Sequence, residues 1–252
     1  MNIADLVKEI TKGRGFVVLP NLISFSQAAE ARNLIMELAA QDKQQGKLVI
    51  QGKKERLYGL LYRGDVFADL VQNPTVLSVV KTIIEGEPIL GGFSAHILHP
   101  GAIPMGMHVD YPYWAMPAPF PKYPILEVQI IWMLEDFTAN NGAPVFAAGT
   151  QKLAKQPEKR QFKIRARKIT GAAGSVVISH GLCWHNTSEN NSDRPRVSLL
   201  GNYTPQYVHP LENNLFAHQP EAMKNASPEL KKLLRHTWMP KSDPMYDMKS
   251  LN

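Results

Sequence analysis

His108-Val109-Asp110 and the distant His185 constrain this chain more than any other feature. On an extended strand residues i and i+2 project from one face, so His108 and Asp110 present an imidazole and a carboxylate side by side. His185, in Trp184-His185-Asn186-Thr187, lies several strand-like runs downstream and offers a second nitrogen. Two nitrogens and one carboxylate oxygen form the set that holds non-haem Fe(II) while leaving coordination positions open. Arg196 then opens the run Arg196-Val197-Ser198-Leu199-Leu200, where a fixed guanidinium suits the grip on a dicarboxylate co-substrate. Arg194 is the alternative grip, but it adjoins Pro195 at the entrance to that run. His180 is the rival to His185, and its neighbours Ile178 and Ser179 suit the end of a preceding strand.

The β signal begins at Ile89. Ile89–Leu98 leads into the turn Pro100-Gly101, Leu126–Leu134 is the strongest strand, and Ser175–Ile178 and Arg196–Tyr203 follow. Short strands punctuated by Gly, Pro and Asn predict a mainly β protein with flanking helices, of jelly-roll, cupin-like type. Upstream, Phe16–Pro20 reads as a short strand. Ser24 to about Gln41 has helical periodicity, and Pro74–Ile84 reads as a helix with Pro in its first turn and Gly86 beyond its end. The expected organisation is one domain over 1–252: a helical buttress at about 21–86, a jelly-roll core at about 89–205 and a C-terminal extension over 206–252. Within the extension, Ser227–His236 is expected to form a closing helix. The tail from Pro240 to Asn252 has no core pattern.

Composition bounds the function classes. The 252 residues include 44% hydrophobic and 20% charged residues, ordinary for a globular protein, and no apolar run approaches the length a membrane helix needs. Met1–Asp5 lacks the features of a signal peptide, and Cys183 is the only cysteine, which excludes an intrachain disulfide. A cytoplasmic location is the expectation. A net charge of +6 raises the question of nucleic acid. The basic residues are scattered, however: Lys53-Lys54-Glu55-Arg56 is a modest cluster, and Phe162–Arg167 alternates charged with apolar residues as a strand with one wet face would. A small-molecule substrate, with an anionic one compatible with the charge, is favoured over nucleic acid.

Further site candidates follow from position. His96 and His99 precede the triad on a strand and could touch co-substrate or substrate. Gln129 shares parity with Glu127 and Ile131, so it faces either solvent or the co-substrate. His209, His218 and His236 read as surface residues. The segment from Tyr111 to Pro124 leaves Asp110 directly and is dense in prolines and rings, including Tyr111, Tyr113 and Trp114. A segment of this kind fits a lid whose aromatics line a substrate pocket.

Over roughly residues 16–207 the chain resembles the phytanoyl-CoA dioxygenase-like branch of the Fe(II)/2-oxoglutarate oxygenases. The resemblance rests on His108-Val109-Asp110, on Asn141-Gly142 leading to Ala148-Gly149-Thr150-Gln151, on Gly174–Ile178, on His185-Asn186-Thr187 and on Asn191–Arg196. Ala148 and Gln151 stand where the family usually has Pro and His, a departure in a structural turn. The resemblance implies a double-stranded β-helix, iron on His108, Asp110 and His185, and O2 and 2-oxoglutarate as co-substrates. It places the far carboxylate of 2-oxoglutarate on Arg196, with Ser198 and Thr187 nearby. Halogenating relatives carry Gly or Ala in place of Asp110, so the carboxylate implies hydroxylation or a related oxidation. Two other readings stand beside it: a cupin-like metalloenzyme without 2-oxoglutarate, and a binding domain with a remnant site. Arg196 weighs against the former, since a buried cation without an anion costs about 3–5 kcal/mol.

Overall fold

The two longest strands, Pro88–Leu98 and Arg196–Pro205, are apolar runs buried along most of their length. A computed structural model describes residues 2–212, Lys224 and residues 226–235. In chain order come helix α1 (Ile3–Thr11), strand β1 (Phe16–Leu19), helix α2 (Phe25–Gln44), strands β2 (Val49–Gln51) and β3 (Lys54–Leu57), helices α3 (Asp65–Val71) and α4 (Pro74–Ile84), and strand β4 (Pro88–Leu98). They are followed by β5 (Val128–Met133), β6 (Pro144–Ala147), helix α5 (Lys159–Arg165), β7 (Ala166–Lys168), β8 (Val176–His180), β9 (His185–Thr187), β10 (Arg196–Pro205) and helix α6 (Pro228–Leu233).

Seven strands form one sheet in the order β1-β8-β5-β10-β4-β3-β2, and three form a second in the order β7-β6-β9. All pairings are antiparallel. The architecture is a jelly roll, as the strand pattern predicts. β4 and β10 pair from Arg196↔Leu98 to Pro205↔Pro88, with an irregularity at Asn202/Tyr203. β5 is buried along its whole length. Its Val128, Ile130 and Trp132 pack into the large cluster shared with the helices, while Ile131 and Met133 join a second cluster on the opposite face. Gln129 therefore points inward with Ile131, not to solvent.

The helices cover the outer face of the large sheet. Ser24 caps α2 reciprocally with Gln27, and Asn73 accepts from Thr75 and Val76 at the start of α4. α4 ends on Glu85, which takes the left-handed conformation expected of a glycine, so Gly86 is not the cap. Tyr203 is fully buried and donates its hydroxyl to Val71 O at 2.7 Å, tying β10 to α3. Burying each such large side chain contributes about 1.5–3 kcal/mol. Gly174 adopts φ +85°, and a Cβ there would lie 2.4 Å from Ile23 O. Leu22 and Ile23 donate to Gly174 O, so this glycine lets the segment before α2 lie against the β8 turn.

Two expectations about elements change, and the expected closing helix is present. The stretch read as helical buttress contains the β2–β3 hairpin, which extends the large sheet at the β4 edge. Its turn uses Gly52 at φ +61°, and its charged tips masked the alternation of buried Glu55 and Leu57 with half-exposed Lys54 and Arg56. Phe162–Arg167 is not a strand: it lies mostly in α5, which has no buried residue, and only Ala166–Lys168 pairs with β6. Without a partner strand, the Lys, Arg and Gln of this stretch follow their helical preference. The closing helix is α6, begun by Ser227 as cap. His218, His236 and the tail from Pro240 lie outside the described residues.

Candidate active site

Backbone pairing brings the two distant histidines together. His108 donates to His185 O and His185 to His108 O, both at 3.0 Å, so the His108 segment joins the edge of the small sheet. Their rings lie 4.2 Å apart. His185 stacks on Phe146, its register partner on β6, at 5.2 Å. Asp110 is held by its own N–H, which donates to Gly181 O at 2.9 Å. One ligand atom from each of His108, Asp110 and His185 lies within 4.8 Å of the others.

The donor atoms suit a metal. His108 Nδ1 lies 2.8 Å from Gly106 O and His185 Nδ1 lies 3.0 Å from Cys183 O. A carbonyl only accepts, so each Nδ1 carries the proton and each Nε2 keeps its lone pair for a ligand. Burial holds both rings at a pKa of about 4, so they are neutral at pH 7. Gln129 donates from Nε2 to Asp110 Oδ1 at 2.9 Å, and buried Asp110 Oδ2 has no protein partner. Burial raises the Asp110 carboxyl above its ordinary range. His185 Nε2 is 3.5 Å from Asp110 Oδ1. The residues present thus fit a divalent ion.

Arg196 shares the same cavity and is 2% exposed. It donates through Nη1 to Ser198 Oγ at 2.7 Å and through Nη2 to Gly142 O at 2.5 Å, while its Nε is buried without a partner. Its guanidinium lies over the Phe137 ring at 4.6 Å. Among the described residues no carboxylate lies within ion-pair distance of it. Burial lowers its pKa to about 10, still charged at neutral pH. Two loops aim it. Asn190, fully buried, donates to Leu98 O and Arg194 O and so fixes the approach to β10. Asn141 bonds Thr138 N and Asp136 O, placing the Gly142 carbonyl.

A cavity of about 590 Å³ contains His108, Asp110, His185 and Arg196 together with His96, Gln129, Thr187, Ser198, Tyr111 and Trp114. Thr187 Oγ1 also accepts from Met105 N at 3.3 Å. Two candidates lie elsewhere. Tyr113 is fully buried, packs with Phe120 and His180, and accepts from Leu126 N at 2.8 Å; it is a core ring, because the short helical turn at Tyr113–Ala115 points it inward and Trp114 outward. His99 pairs through Nε2 with Glu55 Oε2 at 2.9 Å beyond the cavity wall. The rivals also fall away: His180 is buried with Nδ1 accepting from Leu182 N, and Arg194 is exposed beside Asp193. Gln151 donates to Ile10 O and Gly13 O, which makes its turn a brace for the α1 end.

Sequence reasoning missed Arg56, Tyr58 and Asn202 as cavity residues. Arg56 was legible only as part of a basic cluster; the alternation of half-exposed Lys54 and Arg56 with buried Glu55 and Leu57 was the available signal.

A jelly roll that carries a two-histidine, one-carboxylate centre beside a buried arginine defines the class of non-haem iron, 2-oxoglutarate-dependent oxygenases. The family description "Phytanoyl-CoA dioxygenase (PhyH)" matches residues 12–198, and the chain belongs to that family. Among curated relatives, "Dioxygenase af480" of Aspergillus fumigatus is 27% identical over 250 residues, covering 91% of this chain and 79% of that protein. Uncharacterized proteins of Mycobacterium bovis and Mycobacterium tuberculosis are 23% identical over 219 residues, covering 81% of this chain and 76% of theirs. Of solved structures, the epimerase SnoN with Fe3+, alpha ketoglutarate and nogalamycin RO superposes with a TM-score of 0.67 at 15% identity, covering 82% of this chain and 86% of that one. A second structure, of SnoN described as the non-heme alpha ketoglutarate dependent epimerase from nogalamycin biosynthesis, gives 0.66 at 17% identity, covering 82% and 85%. No helix among the described residues is long and apolar enough to cross a membrane.

Proposed function

We propose that this single-domain protein oxidises an unactivated C–H bond of a small molecule, using Fe(II), O2 and 2-oxoglutarate and releasing succinate and CO2. The observation that carries this reading is one cavity holding both the metal-binding triad and a buried guanidinium with no carboxylate partner among the described residues. His108, Asp110 and His185 would hold the iron, and Arg196, steadied by Ser198, would pair with the far carboxylate of 2-oxoglutarate. When bound, iron and 2-oxoglutarate supply the oxidising chemistry, coupling loss of CO2 to attack on a C–H bond. The protein's share is positional: Gln129 orients Asp110, the Gly106 and Cys183 carbonyls fix the imidazole tautomers, and Tyr111 and Trp114 shelter the cavity from water.

Hydroxylation is the favoured outcome, because Asp110 keeps the third ligand position filled. SnoN, described as an epimerase, makes stereochemical inversion the alternative on this fold. Succinate release from protein supplied with Fe(II), 2-oxoglutarate and air tests the reading. Product mass separates the outcomes, since hydroxylation adds one oxygen and inversion leaves the mass unchanged. Substrate turnover without 2-oxoglutarate would indicate a cupin-like metalloenzyme instead, and neither activity would indicate a binding domain.

A further inference from the structure

The cavity holds a second cation that the triad and the 2-oxoglutarate grip do not use. Arg56 lies on β3, between β2 and β4, in register with His96 on β4, which is itself in register with Ser198 on β10. Cross-strand partners project from one face, and all three line the cavity. With strands about 4.8 Å apart, Arg56 stands roughly 10 Å across the sheet from Ser198 and the Arg196 that bonds it. That spacing separates two anion sites in one chamber.

Arg56 is built for presentation. Its Nη1 donates to Tyr58 Oη at 3.2 Å, and its guanidinium lies 5.8 Å from the Tyr58 ring centre, so one edge is held. Among the described residues no carboxylate lies within ion-pair distance of it. Between the two arginines sits His96, 8% exposed, with Nε2 buried and unpartnered. Burial first, then the charges of Arg56 and Arg196, hold His96 well below its usual pKa, so it is a neutral group between two cations. The cavity wall also carries apolar Met105, Trp114 and Leu211. Glu212 borders it, but both its oxygens are occupied by Gly59 N and Phe93 N at 2.7 and 2.8 Å.

We infer that Arg56 is the specificity-determining residue for the oxidised substrate, and that this substrate is an apolar small molecule bearing a single carboxylate, which Arg56 and His96 Nε2 receive. One planar fork matches one planar, singly charged group. A dianionic phosphate would face a single cation and the nearby Glu212. A cavity of about 590 Å³ suits an organic acid of ordinary drug-like size. The inference deepens the function proposed above and rests on it for the meaning of "substrate".

The test uses the anaerobic Fe(II)- and 2-oxoglutarate-loaded protein and a matched pair of probes, naphthylacetate and naphthylacetamide, followed by calorimetric titration. The acid is expected to bind roughly tenfold or more tightly than the neutral amide, the increment of a charge-assisted bond. Arg56→Gln is expected to erase that preference and Arg56→Lys to keep part of it. The affinity for 2-oxoglutarate should stay the same in all three proteins. Equal binding of acid and amide by the wild type, failure of both to bind, or survival of the preference in Arg56→Gln each overturns the inference. Failure of the wild type to bind 2-oxoglutarate is a different result: it overturns the function proposed above while leaving the acid preference to be read separately.

Discussion

Gln129 Nε2 donates to Asp110 Oδ1 at 2.9 Å, a buried bond between β5 of the large sheet and the metal-binding corner. It leaves Asp110 Oδ2 as the carboxylate oxygen without a protein partner. Second-layer bonds of this kind are worth about 10–100-fold in metal affinity. Gln129→Leu is therefore expected to weaken Fe(II) or Mn(II) binding by about that factor while leaving the fold intact, as read by metal titration and circular dichroism. Unchanged metal affinity would show that Gln129 does not position Asp110.

The two arginines at the start of β10 separate by burial. Arg196 is enclosed with Ser198 and Gly142, whereas Arg194 is exposed. Arg196→Gln is expected to raise the 2-oxoglutarate requirement by about a hundredfold, the loss of a buried charge-assisted contact. Arg194→Gln should leave it unchanged. The reverse ranking in a titration of 2-oxoglutarate would place the grip elsewhere.

Neighbouring rings in the segment after Asp110 have opposite fates. Tyr113→Phe removes the buried acceptor of Leu126 N–H and should cost about 1–3 kcal/mol in urea unfolding. Trp114 is 54% exposed at the cavity rim, so Trp114→Ala should leave stability alone. It should lower the product-to-succinate ratio, because the substrate is less firmly held. A stability loss at unchanged coupling would make Trp114 a structural plug.

Burial alone holds His180 at a pKa of about 4, against an ordinary value near 6.5. Because the folded state resists protonation, this group's stabilising effect is complete above pH 6.5. It fades as pH falls toward 4. One pH unit corresponds to about 1.4 kcal/mol, so metal-free protein should lose about 2–3 kcal/mol through this group between pH 6.5 and 4.5. His180→Gln should flatten the unfolding free energy over that window by the same amount. Identical slopes for the two proteins would show that His180 does not titrate on unfolding.

Much of this architecture was legible because residue type and period carry it. The runs around Ile130 and Leu199 announce central strands, and Ser24 and Asn73-Pro74 announce helix starts. The convergence of His108, Asp110 and His185 was legible from ligand chemistry. What stayed hidden depends on tertiary partners. Phe162–Arg165 alternates like a strand but has no neighbour to pair with, and β3 looks like a charged surface turn until β4 supplies its ladder. The opposite fates of Tyr113 and Trp114 follow from a short helical turn that composition does not reveal. Arg56 is a functional candidate only once the register sets it beside His96.

The central claim is that His108, Asp110, His185 and Arg196 form one iron and 2-oxoglutarate centre. It is tested most directly by anaerobic titration of 2-oxoglutarate into the Fe(II)-loaded protein, watching for the visible charge-transfer absorption that chelation produces. The expected result is a saturable band in the wild type, no band in His185→Ala, and a band in Arg196→Gln that saturates only at about a hundredfold more 2-oxoglutarate. A wild-type protein that binds Fe(II) at the triad yet develops no band, or a band that survives His185→Ala unchanged, would contradict it.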